Sequence, residues 1–408
     1  MAPPQKLKIL ICLLYYFPHR TGLTIHVQRV AEELVRRGHE VTVLTARYSN
    51  DLPRDDSTMH KGVRIVRLWA PIRMSRGMIM PAYPWALYKL MREHDVVSVH
   101  TPTPETALIA GISALTDKKI VVTHHGDLIL PAGLANRIIQ NAMFSMYKLL
   151  ARRASHILAY SQDYADHSYY LQPFMEKVSA VYPPIQMPLP NPQRVEELRA
   201  EWAKEGGPLI GYAGRFVEEK RPDLAIRALE VVGKQYPNAR LVFAGQHIIP
   251  YEKTWEREQA LVNEHRDRLI FLGLLPDPQD MADFFAACDV LVLPSDSECF
   301  ALVQVEAMLC GAPVVMTDTP GGRVPVMETG MGKIVPMGNS QAIGEAVLDV
   351  LADPDQYRKP REAILRTFNF EETINRYERH FERAAAQSRV KLADWISDPT
   401  PKQSGDHL

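Results

Sequence analysis

Short apolar runs alternate with longer stretches of helical periodicity over most of the chain. The first run, Leu7–Tyr16, predicts a buried strand. Apolar positions at helical spacing over His26–Arg37 predict a helix, with Gly38 as the residue that ends it. Val41–Ala46 predicts the next strand. Val63–Trp69, Val96–His100, Ile120–His124, Ile157–Ser161 and Val178–Tyr182 continue the series, with helical stretches between most of them. These strands are rich in β-branched residues and do not alternate apolar with polar. Strands of that texture, separated by helices, indicate a parallel sheet covered on both faces.

The pattern breaks in PPIQMPLPNP, where proline can continue neither strand nor helix. It then restarts. Leu209–Ala213, Arg240–Ala244, Leu269–Leu272, Val290–Pro294, Pro313–Thr317 and Lys333–Val335 predict strands, and Pro222–Tyr236 and Val303–Leu309 predict helices. A strongly amphipathic helix follows from Glu371 to about Ala386. The expected organisation is therefore α/β: a first Rossmann-like doubly wound unit over 1–187, a linker over 188–207, and a second such unit over 208–368. A terminal helix over 369–388 and a poorly ordered tail over 389–408 complete it. Ligands of such sheets bind beyond the carboxyl ends of the strands, so two facing sheets place the site in the cleft between them.

Composition narrows the partners. A length of 408 residues exceeds one ordinary core. With 47 basic and 48 acidic side chains the net charge is −1, which gives no global pull toward nucleic acid, and none is expected as a partner. Cys12, Cys288, Cys299 and Cys310 form no CxxC pair and suit free thiols in a reducing cytoplasm. KLKILICLLYYFP begins like a secretory leader, but it is short, lacks a small-residue cleavage site and runs into a helical pattern. It reads as a strand. No apolar run approaches the roughly 20 residues of a membrane span.

The chemistry concentrates in PSDSECFALVQVEAMLCGAPVV, residues 294–315. An apolar strand ends in a polar loop carrying Glu298, and a helix carrying Glu306 follows. The backbone N–H groups of Phe300, Ala301 and Leu302 lie at that helix start, a ready site for phosphate. A carboxylate nearby suits a sugar or ribose diol. By spacing alone, two surface glutamates beside a routine turn explain the segment equally well.

The same stretch resembles the E-x7-E signature of the family-4 glycosyltransferases, usually E-P-F-G-x4-E-A-M-x-x-G-x-P-V; this chain reads E-C-F-A-L-V-Q-V-E-A-M-L-C-G-A-P-V. The resemblance implies the GT-B fold, with Glu298 on donor-sugar hydroxyls and Glu306 on the ribose. Cys299 stands where the family has proline, and Ala301 where it has glycine. A methyl at Ala301 leaves less room where backbone approaches the sugar or phosphate.

Further matches follow in the family's order. GYAGRFVEEKRPDLAI, residues 211–226, places Arg215 and Lys220 after Gly214, and resembles the family's G-R-x4-K-G diphosphate clamp. Two cations there can neutralise a diphosphate leaving group; an isolated R-x4-K is otherwise a pair of solvated charges. Arg221 stands where glycine is common. VVTHHGDLILP, residues 121–131, resembles the T-x-H-G-D turn, in which the histidine before glycine, here His125, touches the transferred sugar; Asp127 follows. No third ligand lies near this triplet in sequence, and no D-x-D motif appears at an expected donor site, so no required metal or other cofactor is expected. In YYFPHRTGLTIHVQRVAEELVRRGHEVTVLT the turn after the first strand carries only Gly22 where the family has two glycines. It is no GxGxxG fingerprint. Arg20, Thr21, His26 and Asp127 are acceptor-side candidates, although a helix histidine such as His26 is at least as often a core residue. Gly321, Gly322 and Arg323 resemble the glycine-rich turn after the family's next strand.

The resemblance runs from about residue 9 to residue 345. It implies retaining transfer of a hexose-type sugar from a UDP- or GDP-sugar to an acceptor hydroxyl. His125, Glu298, Arg215 and Lys220 would serve the chemistry, and Gly22, Gly214, Cys299, Phe300, Ala301, Leu302 and Glu306 the donor. The alternatives are an epimerase-like or phosphorylase-like relative, or a degenerate nucleotide-sugar-binding protein. The departures at Cys299, Ala301 and Gly22 favour the last; both glutamates and both cations oppose it. The acceptor is a glycan, a lipid-linked sugar or a small molecule. Residues 64–93 and 136–153 mix cations with apolar groups, which fits either snorkelling core helices or peripheral contact with the inner face of a membrane by a cytoplasmic protein.

Overall fold

The computed structural model describes residues 6–53, 58–74, 77–129, 133–249 and 252–387. The expected tail, 389–408, lies outside them. The first sheet holds β1 (Lys8–Cys12), β2 (Glu40–Arg47), β3 (Thr58–His60), β4 (Val63–Trp69), β7 (Val96–Thr101), β8 (Lys119–His124), β9 (Ala154–Ala159) and β10 (Val178–Ala180), ordered β10-β9-β8-β7-β1-β2-β4-β3. All its pairs are parallel except β3 with β4. A separate hairpin joins β5 (Ile72–Met74) and β6 (Gly77–Ile79). The second sheet is wholly parallel, ordered β13-β12-β11-β14-β15-β16, with β11 (Leu209–Ala213), β12 (Arg240–Ala244), β13 (Leu269–Gly273), β14 (Val290–Leu293), β15 (Val314–Thr317) and β16 (Gly332–Val335).

Helices cover both faces, as parallel strands require. The first unit carries α1 (Gly22–Arg36), α2 (Tyr83–Glu93), α3 (Thr106–Thr116), α4 (Leu134–Arg153) and α5 (Gln162–His167). The second carries α6 (Pro192–Trp202), α7 (Pro222–Gly233), α8 (Thr254–Arg257), α9 (Gln259–Glu264), α10 (Pro278–Ala287), α11 (Leu302–Leu309), α12 (Val324–Thr329), α13 (Ser340–Ala352), α14 (Pro354–Tyr357) and α15 (Arg361–Thr367). α16 (Phe370–Ala386) ends the described chain. This is the two-domain GT-B architecture.

Several boundaries differ from the sequence reading, each for a local reason. β1 stops at Cys12, although Leu13 and Leu14 still bond to the backbone of β2 at Leu44 and Ala46. α1 begins at Gly22, not His26, because Thr21 caps it: the Thr24 N–H donates to Thr21 Oγ1 at 3.3 Å, and the Thr21 N–H donates to Thr24 Oγ1 at 2.8 Å. The expected linker holds α6, which starts on Pro192 behind Asn191. The Asn191 side chain accepts from the Gln193 and Arg194 N–H groups. Leu198 and Trp202 of α6 are buried in the second domain's core. A proline-rich run thus starts a helix rather than merely separating domains.

α16 is capped by Asn369 and has Glu371 and Glu372 in its first turn. Its apolar face, Ile374, Tyr377, Phe381 and Ala384, packs with Leu7, Ile9, Ile11, Val30 and Leu34 of the first domain. Arg37 adds ion pairs to Glu371 at 2.5 Å and Glu378 at 2.8 Å.

Candidate active site

The second domain brings three loops together at the carboxyl ends of β11, β14 and β15. Glu298 follows β14. Its Oε1 accepts from Lys220 Nζ at 2.7 Å and from Ser295 Oγ at 3.0 Å. Lys220 also reaches the Ser297 carbonyl at 3.4 Å. Burial alone would lower the Lys220 pKa, but the Glu298 carboxylate outweighs it and holds the ammonium above its ordinary value. The site therefore keeps a charged cation at the strand ends. Tyr212 fixes the turn that carries it by donating to the Arg215 and Lys220 carbonyls, both at 3.3 Å. Arg215 lies 3.5 Å from Glu219.

Arg221 is no third clamp cation. Its side chain pairs with Asp223 at 2.9 Å and reaches Asp296 at 3.4 Å. Its backbone is left-handed, φ 47°, which accounts for glycine being usual there. Gly214 packs against Gly245, where an added methyl would meet the Gly214 carbonyl oxygen at 2.0 Å. Gly245 has no motif around it, so sequence reasoning missed it.

Ala301 is the N-cap of α11 with φ 55° and no side-chain cap bond. The fold keeps a glycine conformation although the residue has changed. Ala301→Gly is expected to raise stability by about 0.5–1 kcal/mol, since relief of left-handed strain exceeds the added chain entropy. A fall in denaturation midpoint would refute this.

Phe300 is fully buried and points away from the donor loop. It packs against Tyr160, Tyr182 and Phe368, with ring centroids 6.2, 5.6 and 5.6 Å away. Only its backbone remains available to a donor. Leu302 opens α11 and lies 3.4 Å from where a methyl on Gly22 would stand, an ordinary packing distance, so Gly22 sits where the first domain faces the α11 start. The Cys299 thiol is pushed up to about 12 by burial and by Glu298, so it stays neutral. Gly321 and Gly322 shape this loop directly. A methyl on Gly321 would strike the Cys299 carbonyl at 2.5 Å, and one on Gly322 would lie 2.9 Å from Glu298 Cβ.

The first domain supplies the opposing wall. The His125 N–H donates to the Thr101 carbonyl at 3.0 Å, its Nε2 lies 2.7 Å from His100 Nδ1, and its Nδ1 meets the Tyr160 hydroxyl. Both ring nitrogens are therefore engaged within the protein, and only 9% of the residue is exposed. Burial lowers the pKa of His26, His100 and His125, so all three are neutral imidazoles; His100 falls to about 3.

Three acceptor-side candidates have partners within the protein. Thr21 is the α1 cap. His26 is fully buried, with Nε2 2.9 Å from the Tyr377 hydroxyl of α16. The Asp127 carboxylate accepts from His124 Nε2 at 2.8 Å, Ser168 Oγ at 2.5 Å and the Tyr169 N–H at 3.0 Å. Burial opposes its charge, but these bonds win and hold its pKa below the ordinary value. Arg20 is exposed on the loop before α1. Beside it His19, which the sequence reading passed over, stacks on Tyr15 at 4.7 Å. Burial, with Arg215 across the cleft, lowers its pKa.

Two ion pairs join the walls. Arg29 of α1 reaches Glu306 at 3.0 Å and also donates to the Pro184 and Gln186 carbonyls at 3.1 and 2.9 Å. One carboxylate oxygen of Glu306 is thus held by the first domain. Asp163 of α5 pairs with Arg323 at 2.5 Å and accepts from the Gly321 N–H at 2.7 Å. Arg29 and Asp163 carry no motif; only the fold reveals them.

Comparison with known proteins agrees with this geometry. The model of the family "Glycosyl transferases group 1" matches residues 194–366, and that of "Glycosyltransferase Family 4" matches residues 20–187. The chain is 26% identical to the 2-deoxystreptamine N-acetyl-D-glucosaminyltransferase of Streptomyces fradiae, over 92% of this chain and 93% of the relative. It is 26% identical to the GDP-mannose-dependent alpha-(1-6)-phosphatidylinositol monomannoside mannosyltransferase of Mycolicibacterium smegmatis, over 83% and 87%. In fold it is similar to Anabaena HepE in complex with UDP-glucose, with TM-score 0.74 and 19% identity over 93% of this chain and all of that one.

Proposed function

The chain belongs to the group 1, family-4 glycosyltransferases, and on that premise we propose that it moves a hexose-type sugar from a UDP- or GDP-sugar to an acceptor hydroxyl with retention of configuration and without a required metal. The observation that carries this reading is the part-buried Lys220–Glu298 pair beside Arg215 and the start of α11. Bond breaking at the anomeric carbon builds negative charge on the diphosphate. Lys220, Arg215 and the α11 N–H groups are placed to stabilise it. Glu298 is already oriented by Ser295 and Lys220 and offers its second oxygen to sugar hydroxyls. Glu306, held through one oxygen by Arg29, offers the other to the ribose. His125 has no free ring nitrogen, so its part is to shape the sugar's wall rather than to move a proton. One relative named above is GDP-mannose-dependent by name, and the HepE structure of similar fold holds UDP-glucose, so both donor classes stay in the proposal.

A thermal-shift panel of nucleoside diphosphates tests this first. One base's diphosphate is expected to stabilise by roughly 2.7 kcal/mol at 100 times its Kd, with or without magnesium. A shift that needs magnesium would remove metal independence from the reading. No shift with any nucleotide would favour the degenerate binder. The anomeric configuration of the product, read by NMR, decides retention.

A lipid-linked acceptor is favoured by one surface. Leu134, Ile138 and Ile139 of α4 stand exposed, Leu134 at 78% and Ile138 at 61%, with Ile129 just before them. Arg137, Lys148 and Arg152 lie on the same helix. Among the described residues no helix is long and apolar enough to cross a membrane. The reading is therefore of a helix lying on an anionic surface. Binding to vesicles rich in anionic lipid at low salt is expected, and Leu134→Asp with Ile138→Asp should abolish it. Equal co-sedimentation of that double variant would remove this surface from the proposal.

A further inference from the structure

Three imidazoles that no local pattern links meet behind the cleft wall. His26 comes from the second turn of α1, His100 from the end of β7 and His125 from the residue after β8. One ring nitrogen of each lies within 4.8 Å of the others, with His26 and His100 buried and His125 only 9% exposed. We propose that His26, His100 and His125 form a binding site for a zinc-class divalent transition metal, distinct from the clamp that holds the diphosphate.

The outer nitrogens point to this. Metal-ligating histidines almost always bond their second ring nitrogen to an oxygen, which fixes tautomer and orientation. Here His26 Nε2 lies 2.9 Å from the Tyr377 hydroxyl, His100 Nε2 lies 3.2 Å from Ser98 Oγ, and His125 Nδ1 meets the Tyr160 hydroxyl. The nitrogens left over are Nδ1 of His26, Nδ1 of His100 and Nε2 of His125. The last two lie 2.7 Å apart and share a proton. His26 Nδ1 is buried with no hydrogen-bond partner. A buried polar atom without a partner is costly, and a metal ion would satisfy it.

The protons balance without loss. Three neutral imidazoles carry three ring protons. In the metal-free state the His100–His125 bond keeps one of them on an inner nitrogen. On binding, that ring changes tautomer, and its hydroxyl partner turns from donor to acceptor. Ser98, Tyr160 and Tyr377 then each accept one N–H, and three lone pairs face the ion. Metal–nitrogen bonds of about 2.0–2.1 Å in tetrahedral geometry set the nitrogens about 3.3 Å apart. His100 and His125 would separate by about 0.6 Å, a side-chain rotation. Three imidazoles with an open fourth position suit zinc, copper or nickel, not magnesium or calcium. Binding does not depend on the glycosyl-transfer reading. If that reading holds, an occupied site fixes His125 and slows transfer.

The test uses the full chain, treated with chelator and titrated with cobalt(II). One equivalent is expected to bind with the intense visible absorption of a four-coordinate site, and zinc should displace it. His100→Gln should abolish the band. Tyr377→Phe removes only a hydroxyl, leaves the fold least disturbed, and should weaken binding roughly 10–100-fold. No band in the unmodified chain, a band that survives His100→Gln, or unchanged affinity in Tyr377→Phe would each overturn the proposal.

Discussion

Lys220→Ala is expected to lower kcat/KM for sugar transfer by roughly 10²–10³-fold, the scale for removing one preorganised charge from a developing oxyanion. The ammonium has three donors. One is taken by Glu298 at 2.7 Å and a second reaches Ser297 only at 3.4 Å, so a phosphate oxygen can be held without breaking the pair. The substitution does a second thing. It leaves the Glu298 carboxylate, 11% exposed, with Ser295 as its remaining side-chain partner. Stranding a buried charge costs about 3–5 kcal/mol in full burial. Partial exposure of Lys220 places this case at or below the lower end. Glu298→Gln separates the effects, because it keeps the cation and the polar contact but removes the anion. Initial rates and nucleotide affinity of both variants, each confirmed as folded, make the comparison. Activity of folded Lys220→Ala within about three-fold of the unmodified enzyme would remove Lys220 from the clamp.

The two sheets, their parallel order and the meeting of Lys220 with Glu298 at the strand ends were legible because each rests on a local pattern. Val290–Leu293 is apolar on both faces, and the turn after it carries Glu298 within four residues of Ser295. What was not legible arises between distant segments. Asp163 and Arg323 meet across 160 positions, and Arg29 and Glu306 across 277. Neither pair has a spacing that a single sequence can display. Thr21 and Asp127 show how one residue type carries two readings. Polar groups beside a cleft read as ligand contacts, but helix capping and loop stapling claim the same residue types. His26 is instructive in both ways: it faces the site only from within, and its partners, His100, His125 and Tyr377, come from three other elements.

Phe381→Ala is expected to cost about 3–5 kcal/mol, and the loss should appear in the first domain although the residue follows the second in sequence. Phe381 is fully buried, and its neighbours include Tyr377 and, in the same cluster, β1 and α1 residues such as Ile9 and Leu34. A cavity there loosens the helix that holds Tyr377 against His26, so the histidine group behind the cleft should lose rigidity with it. Two domains need not unfold together, so one melting midpoint is a poor measure. Hydrogen exchange resolved by segment is the better one: β1, α1 and α16 should exchange faster, while β11–β15 keep their protection. Arg379→Ala, which removes only surface ion pairing to Glu372, should change stability by under about 0.5 kcal/mol and serves as the control. Faster exchange confined to the second sheet would mean that α16 braces the wrong partner in this account. The covalent order of the chain ends in the second domain, but the apolar face of α16 belongs to the first. That mismatch makes α16 the strap by which the first and second domains are tied together.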